Sequence, residues 1–382
     1  MPLDNLFSDE TTTPENQQKK LYEQFGVLSN PFPSAGQTSG HPHMPTAADQ
    51  KVDAAVKTFY RDRKSHVMAI TATQGIGKTN LLNAYEIALR EKLSARGFFI
   101  IRYIPDPEPS FDPLIKLIFE SLGEDYLRHS INKLAAEPNQ KVSESLRTAE
   151  VKQILQALLQ AKQKSEEQLN SRLFLVHQWF MGLPVRKKHQ DELGVYFRLD
   201  TVESKTRALR DIVYFGAEIG TLQGIFLLLD ELEKQGSSLS KTFVLRYLSA
   251  LRALIDALPR YLFLMTALTT DALERYKEML PALRGRLAHE VQLLPLRNEA
   301  DAVGLWKFYL QQAQDEASHF TRDKGWKSEK TILVNEQDAR DIFNRSLKVS
   351  TIQGVRQREY LHRLHDKANS VFSVQSKNKS SS

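Results

Sequence analysis

The sequence of 382 residues contains no cysteine. This absence excludes disulfides, cysteine-ligated iron–sulfur clusters and thiolate zinc sites, and it is typical of a reducing compartment. Long apolar runs are also missing, since no stretch approaches the roughly 20 residues that a membrane-spanning helix needs. Residues 1–20 are polar and acidic and lack the apolar segment of a secretory signal. Together these absences predict a cytoplasmic protein that does not insert into membranes.

Basic side chains are only slightly more numerous than acidic ones. The 52 basic and 46 acidic side chains leave a formal net charge of +6, a mild lean toward polyanions. The charge therefore leaves nucleic-acid binding and a merely basic surface equally open. Hydrophobic residues make up 41% and charged residues 26% of the chain, which is the balance of a globular protein with a buried core.

Short apolar runs separated by segments of helical periodicity predict an α/β fold, in which a parallel sheet with right-handed crossovers carries helices on both faces. The five predicted strands are 67–73, 98–104, 224–229, 261–267 and 289–294. The gap from Pro105 to Thr221 is too long for one crossover and has apolar residues at helical spacing. These residues are Val151, Ile154, Leu155, Leu158 and Leu159. The gap therefore predicts a large helical insertion.

The same pass along the chain predicts its division into domains. An N-terminal arm rich in Pro, Thr, Ser and Asn covers residues 1–46, and the α/β core covers 47–295, with the insertion at about 105–221. Helical periodicity then predicts a lid over 296–370, with its last helix beginning at Thr351. The Ser/Lys/Asn composition of 371–382 predicts a disordered tail.

A phosphate-binding loop follows the first predicted strand. Residues 72–79 match the Walker A pattern, except that Ala72 replaces its first glycine. Glycines at 75 and 77 let backbone N–H groups converge on phosphate oxygens, Lys78 adds positive charge at the β and γ phosphates, and the Thr79 hydroxyl is a predicted Mg²⁺ ligand. A glycine-rich turn beside a surface lysine is the alternative. The predicted ligands are ATP and Mg²⁺, and the predicted contacts to ATP are Gln74, Gly75, Ile76, Gly77, Lys78, Thr79 and Asn80.

The third predicted strand ends in two carboxylates, Asp230 and Glu231. An unpaired charge at the end of a buried strand costs several kcal/mol, and a neighbouring Mg²⁺-nucleotide would remove that cost. This pattern, the Walker B position, predicts Asp230 as a metal ligand and Glu231 as the residue that polarises the attacking water. A strand that emerges into an acidic, solvated loop is the alternative.

One hydroxyl and several arginines are candidates for contacts to the reacting phosphate. Thr269 follows the fourth predicted strand and is preferred over Thr270 and Thr266, although helix capping is an equally good explanation. Near the fifth strand, Arg286 is the first candidate for an arginine finger and Arg284 the second, with a solvated basic turn as the alternative. In the lid, either Arg356 or Arg358 is a candidate to reach the phosphates, unless both are ordinary surface charges.

The order of these parts, from phosphate loop to helical lid, resembles an AAA+ ATPase of the origin-recognition and initiator branch over about residues 25–370. Four segments are also similar to the BREX-type ATP-binding family of bacterial phage-defence gene clusters; they are Trp179–Gly182, Leu193–Val195, Leu227–Glu233 and Gln357–Leu361. The last of them favours Arg358 as the lid sensor. The resemblance also implies that the Asn30–Pro33 segment borders the adenine.

What the resemblance implies is an oligomeric ATPase that couples its nucleotide state to assembly. The expected partners are further copies of the chain, proteins from the same gene cluster, and DNA, within an anti-phage defence system. The basic run Arg186–His189 is a candidate contact surface, with a solvated loop as the alternative. Two other functions remain open: a nucleotide-dependent switch with little turnover, and a DNA-binding transposition regulator or helicase loader.

Overall fold

The computed structural model describes residues 22, 25–37, 40–105, 110–139, 141–238, 240–321 and 333–379. These residues form two compact units. The sheet unit comprises residues 46–72 and 82–292, and the lid unit comprises 1–45, 73–81 and 293–382. The division separates the phosphate loop from the strand before it, and most of the predicted N-terminal arm lies outside the described residues. The domain boundaries read from the sequence stay a prediction.

Five parallel strands form the centre of the sheet unit. They are β1 (His66–Thr71), β2 (Phe98–Tyr103), β3 (Gly224–Leu229), β4 (Leu262–Leu268) and β5 (His289–Gln292). Their order is β2-β3-β4-β1-β5, and every pairing is parallel. All residues of β3 and β4 are buried. Since successive side chains in a strand point to opposite faces, both faces of the sheet are covered at β3 and β4, whereas three of the four residues of the edge strand β5 are exposed.

Helices of the sheet unit begin before β1 and fill the long gap between β2 and β3. They are α1 (Ala47–Asp62), most of α2 (Lys78–Leu93), α3 (Asp112–Ala136), α4 (Lys141–Ser145), α5 (Ala149–Lys164), α6 (Glu166–Phe180), α7 (Lys187–Leu193) and α8 (Val202–Glu218). After β3 come α9 (Lys234–Ser238), α10 (Lys241–Ala257), α11 (Thr270–Met279) and α12 (Pro281–Arg284). The predicted insertion is therefore helical from α3 to α8.

The insertion is packed around large buried side chains. The rings of Phe119 and Phe180 stack with centroids 4.6 Å apart. Trp179, which belongs to the BREX-like Trp-x-x-Gly segment, is buried, and its indole N–H donates to the Phe197 carbonyl at 2.8 Å. A buried aromatic ring with a satisfied N–H stabilises the interior of this helical region.

The lid unit has its own core, built on α13 (Glu299–Thr321), α14 (Glu336–Val349) and α15 (Gln357–Lys379). Three apolar residues of the predicted arm, Phe25, Val27 and Phe32, are buried in that core. Asn30 donates to the His365 carbonyl at 3.1 Å. The apolar patch of the arm is therefore a tether that holds this segment on the lid helices.

The last helix differs from the sequence prediction at both ends. It begins at Gln357 and not at Thr351, because Val355 forms an antiparallel bridge with Leu296 and Gly354 has a φ of +125°. A side chain on Gly354 would lie 2.5 Å from the Leu296 carbonyl oxygen, so glycine is needed at this close approach. The helix continues to Lys379, so residues 371–379 are helical where the composition predicts disorder.

None of the helices in the described residues is long and apolar enough to span a membrane.

Candidate functional site

The phosphate loop connects β1 to α2, as the sequence predicts. Gly75 has a φ of +83° and Gly77 a φ of +103°, values that favour glycine and that direct backbone N–H groups into the loop. Lys78 is the first residue of α2 and is buried, with 8% of its surface exposed. Ile76 is also buried, whereas Gln74 is exposed and Thr79 is half-buried. The loop thus ends at a helix N-terminus, where anions are favoured.

The start of the last helix lies directly on this loop within the lid unit. The Arg358 backbone N–H donates to the Gly75 carbonyl oxygen at 3.0 Å. A Cβ placed on Gly75 would lie 3.6 Å from Arg358 Cβ and 3.7 Å from Arg356 Cδ. Both predicted lid arginines are therefore next to the loop, and both are exposed. The position of each is compatible with a phosphate contact.

A hydrogen-bonded network joins the arm, the lid helix α13 and the start of α2. The Asn80 side-chain amide donates to the Pro42 carbonyl at 3.0 Å, and the Tyr309 hydroxyl donates to the same oxygen at 2.9 Å. His41 Nδ1 lies 2.6 Å from the Tyr309 oxygen. Burial lowers the pKa of His41 and raises that of Tyr309. Asn80, a predicted ATP contact, thus has its amide bound to the arm.

The sequence analysis does not predict a role for His41 or Tyr309. No local motif marks them, since the two residues are 268 positions apart and meet only because the arm packs on the lid. The apolar residues Phe25 and Phe32 are the signal that the sequence offers, because an apolar segment in a polar arm indicates docking.

Asp230 lies at the carboxyl end of β3 and is almost completely buried, with 1% of its surface exposed. Its backbone N–H donates to the Tyr103 carbonyl at 3.0 Å, and its Oδ1 accepts the Glu231 N–H at 2.9 Å. Arg102 Nη2 is 2.6 Å from Asp230 Oδ2. The charge of Asp230 is therefore neutralised within the sheet unit, by a residue of the neighbouring strand β2.

The position of Arg102 in the sequence is itself a signal. A charged residue in the apolar run Phe98–Tyr103, on a strand flanking the acidic one, requires a partner of opposite charge. Burial lowers the pKa of Arg102. Its Nε and Nη1 atoms are buried and have no hydrogen-bond partner among the described residues.

Glu231 follows Asp230 in an unusual backbone conformation. Its φ is +51°, in the left-handed region that only a few per cent of non-glycine residues occupy. Its carboxylate forms an ion pair with Lys234 at 2.6 Å, and both side chains are about two-fifths exposed. Backbone strain of this kind is concentrated at functional sites, where the surrounding structure holds it in place.

The threonines at the end of β4 differ in their hydrogen bonding. Thr269 is the N-cap of α11, and its hydroxyl accepts the Ala272 N–H at 3.3 Å. This is the helix-capping role that the sequence analysis left open. Thr266 is fully buried beside Leu229 of β3, and its hydroxyl has no partner among the described residues.

Arg286 and Arg284, the two candidates for the arginine finger, also lie in different surroundings. Arg286 Nε forms an ion pair with Asp256 at 2.6 Å, and its Nη1 donates to the Ala282 carbonyl. Arg284 is exposed at the end of α12. A half-exposed ion pair such as that of Arg286 contributes only about 0–1 kcal/mol, so Arg286 can exchange this partner at little cost.

A magnesium site of the predicted kind needs few protein ligands. Among the described residues, no group of three or more His, Asp or Glu side chains is placed to hold a metal. Mg²⁺ in nucleotide sites is bound by one or two protein oxygens together with substrate phosphates and water. The buried carboxylate of Asp230 fits that chemistry, with Arg102 as its partner when no metal is bound.

Comparisons with known proteins give low similarities. No protein-family profile matches the sequence, and no match was found among curated proteins. Among solved structures, the ORC2 protein of Aeropyrum pernix in ADPNP and ADP complexes is 12% identical over 85% of this chain and 68% of that chain, with a TM-score of 0.38. The Walker-type ATPase PABY2304 of Pyrococcus abyssi is 14% identical over 87% of this chain and 73% of that chain, with a TM-score of 0.32.

Because these identities and TM-scores are low, the fold is assigned from the residues and strands of this chain itself. The sheet is parallel, β1 leads into a phosphate loop and a helix, and β3 ends in a buried aspartate. This is the fold of an α/β P-loop NTPase core with additional helical regions.

Proposed function

We propose that this chain is an AAA+ ATPase that binds ATP with Mg²⁺ and hydrolyses it to ADP and phosphate. The observation that carries the proposal is the segment from β1 to α2, in which Gly75 and Gly77 have positive φ and Lys78 is buried at the helix N-terminus. Such a loop offers backbone N–H groups and a fixed positive charge to phosphate oxygens.

In this function Lys78 binds the β and γ phosphates. Thr79 and Asp230 hold Mg²⁺, which when bound neutralises charge on the phosphates. Asp230 already has its Oδ1 fixed by the Glu231 N–H, so one carboxylate oxygen is oriented before the metal arrives. Asp230 Oδ2, which pairs with Arg102, would be the oxygen that holds the metal.

Glu231 accepts the proton of the attacking water. Its carboxylate pairs with Lys234, so the catalytic state requires that this half-exposed ion pair opens. Arg286, with Arg284 as the second candidate, stabilises charge on the transferred phosphoryl group of a neighbouring subunit. Arg358, with Arg356 as the second candidate, contacts the phosphates from the lid. Thr269 orients the water or the γ-phosphate, in addition to capping α11.

Two substitutions test binding and hydrolysis separately. Glu231→Gln removes the proton acceptor and is expected to lower the hydrolysis rate about 10²–10⁴-fold, with ATP affinity little changed. Lys78→Ala removes the charge that binds the phosphates and is expected to abolish ATP binding. The measurements are phosphate release and equilibrium binding of a fluorescent ATP analogue.

Glu274→Gln is the matched control, because Glu274 is an exposed residue of α11 whose carboxylate pairs with Lys277. If Glu231→Gln hydrolyses ATP at the wild-type rate while Lys78→Ala loses binding, the chain is a nucleotide-dependent switch instead of an enzyme. If Lys78→Ala binds ATP like the wild type, the proposal of an ATPase fails.

The ATPase cycle is further proposed to control assembly of the chain into homo-oligomers and onto DNA or protein partners encoded beside it. The BREX-like segments support a role in bacterial anti-phage defence, and a transposition-regulator or helicase-loader role is the alternative. The basic run Arg186–His189 enters the short helix α7, and Arg186, Lys187 and Lys188 are exposed there. These three residues are available to phosphates or acidic surfaces.

A further inference from the structure

β2 is an edge strand of the sheet, with β3 as its one neighbour among the described residues. In a strand, alternate residues direct their backbone N–H and C=O groups to opposite sides. The Tyr103 carbonyl accepts the Asp230 N–H, which places Tyr103 among the residues that face β3. Phe98, Ile100 and Arg102 therefore direct their backbone groups to the open edge. An open edge of this kind is able to pair with an additional strand.

A groove runs along this open edge. It has a volume of about 380 Å³ and is walled by β2, by the end of α2 and by α3. Its lining includes Arg90 at the end of α2, Ser121 of α3 and Arg102 of β2. We call it the edge groove. A volume near the lower end of the range for binding pockets suits a few residues of an extended chain.

The charges of the edge groove are of one sign. Arg90 and Arg102 line it and no lining residue is acidic, although Arg90 also forms a half-exposed ion pair with Glu86 of the same helix at 2.9 Å. Arg102 uses Nη2 for Asp230, and its buried Nε and Nη1 have no partner among the described residues. Nε and Nη1 point to different sides of the guanidinium, so each is able to donate a charge-assisted hydrogen bond to a carboxylate oxygen. A buried donor without a partner is costly, so a carboxylate entering here gains the interaction that is missing.

Two sets of groups without hydrogen-bond partners therefore lie close together. On its open side the backbone of β2 has no strand partner among the described residues, and Arg102 Nε and Nη1 have no acceptor there, although Nη2 pairs with Asp230. A free anion satisfies Arg102 but leaves the edge unpaired, and a neutral strand satisfies the edge but leaves Arg102 unpaired. We propose that an extended, acidic segment of a partner protein adds to β2 as a sixth strand, with a Glu or Asp side chain bound by Arg102 and assisted by Arg90.

The test uses synthetic peptides and the full chain without nucleotide, so that its outcome is separate from that of the ATPase proposal. The probe is a fluorescein-labelled decapeptide of alternating Val and Thr with one central Glu, and its sibling has Lys at the same position. Fluorescence anisotropy is expected to show roughly tenfold or tighter binding of the Glu peptide, because one charge-assisted contact is gained. Methylating the backbone nitrogens on one edge of the peptide is expected to abolish binding, and methylating the other edge to leave it unchanged.

Variants of the protein test whether the Glu peptide binds in the edge groove. Ser121→Trp fills the edge groove and Arg90→Glu reverses its charge, and each is expected to weaken Glu-peptide binding roughly tenfold or more. Lys92→Glu is the matched control, since Lys92 is exposed on α2 but does not line the groove. Circular dichroism and thermal unfolding check that each variant is folded.

The proposal is overturned by any of four results: no peptide binds, the Glu and Lys peptides bind equally, both methylated peptides bind alike, or the Glu peptide binds the folded Ser121→Trp variant normally. Displacement of the Glu peptide by free glutamate, with no effect of backbone methylation, identifies the groove as a site for small anions and also overturns it.

Discussion

Arg102 and Asp230 form an ion pair with little access to water, since their side chains are 11% and 1% exposed. Each buried charge costs several kcal/mol in lost hydration, and the pair is stable because each member compensates the other. Arg102→Met removes one partner and leaves Asp230 buried and uncompensated. We expect this variant to lose about 3–5 kcal/mol of unfolding free energy, measured by urea denaturation at neutral pH.

The control is the double variant with Asp230→Asn, in which neither charge remains. It is expected to be more stable than Arg102→Met alone, because the uncompensated charge has been removed. If the double variant is less stable than the single one, the ion pair is not the source of the loss.

His41 gives the lid unit a dependence on pH. Its pKa in the folded chain is lowered from the ordinary value of 6.5, first by burial and further by the positive charge of Arg358. The folded state therefore binds this proton more weakly than the unfolded state does. Its contribution to stability is complete above pH 6.5 and is lost as the pH falls from that value through the lowered pKa.

We expect His41→Gln to flatten this part of the stability profile. Thermal unfolding of the wild type and of His41→Gln is compared between pH 7.5 and about 5, where a histidine with a lowered pKa changes stability. His66, whose pKa is also lowered by burial, titrates in both proteins and so cancels in the comparison. Identical slopes for the two proteins would contradict the assignment to His41.

At the scale of elements, two helices each contain a glycine, one tightly packed and the other with open space around it. In α8, a Cβ on Gly216 would lie 1.9 Å from the Tyr126 hydroxyl oxygen, which donates to the Ile212 carbonyl at 3.0 Å. In α13, a Cβ on Gly304 would have nothing within 4 Å. The first helix therefore needs its glycine for packing, and the second does not.

Alanine at the two positions is expected to act in opposite directions. Gly304→Ala reduces the entropy of the unfolded chain and should add about 0.4–1 kcal/mol to the unfolding free energy. Gly216→Ala forces Tyr126 to move and should remove about 1–3 kcal/mol. Chemical denaturation of both variants checks this, and destabilisation by Gly304→Ala would show that α13 has a packing contact that its surroundings do not indicate.

At the scale of the whole molecule, the proposed function requires more than one copy of the chain. Arginine fingers act on a nucleotide held by a neighbour, so ATP should favour association. We expect light scattering to show a larger mass for Glu231→Gln with ATP than without it, because this variant retains the nucleotide. Arg284→Ala combined with Arg286→Ala should lower the hydrolysis rate without preventing ATP binding.

DNA binding provides the second measurement on the assembled protein. If the assembly contacts DNA phosphates, its affinity for duplex DNA should fall steeply between about 50 and about 200 mM salt. Replacement of Arg186, Lys187 and Lys188 by Ala should reduce that slope. Binding that does not respond to salt would remove DNA from the proposed partners and favour a protein partner.

The sequence alone was sufficient to predict the features that depend on residues close together along the chain. The apolar runs at 67–73, 98–104, 224–229, 261–267 and 289–294 match the observed strands to within two residues at each boundary, because the buried strands at the centre of the sheet are continuously apolar. The phosphate loop was readable because its glycines and lysine have fixed spacing. The helical nature of the insertion followed from periodicity.

Only the tertiary structure decided which of these parts meet. Arg102 and Asp230 are 128 positions apart, and Asn30 and His365 are 335 positions apart. Asp230 and Glu231 are adjacent acids in the sequence, but their surroundings differ because Arg102 of β2 pairs with Asp230 and Lys234 pairs with Glu231. Spacing within a segment is set by local geometry, whereas an ion-pair partner such as Arg102 or an open sheet edge is set by how distant segments pack. The sequence by itself therefore determined the phosphate loop and the α/β class, and the packing decided what surrounds each residue of the candidate site.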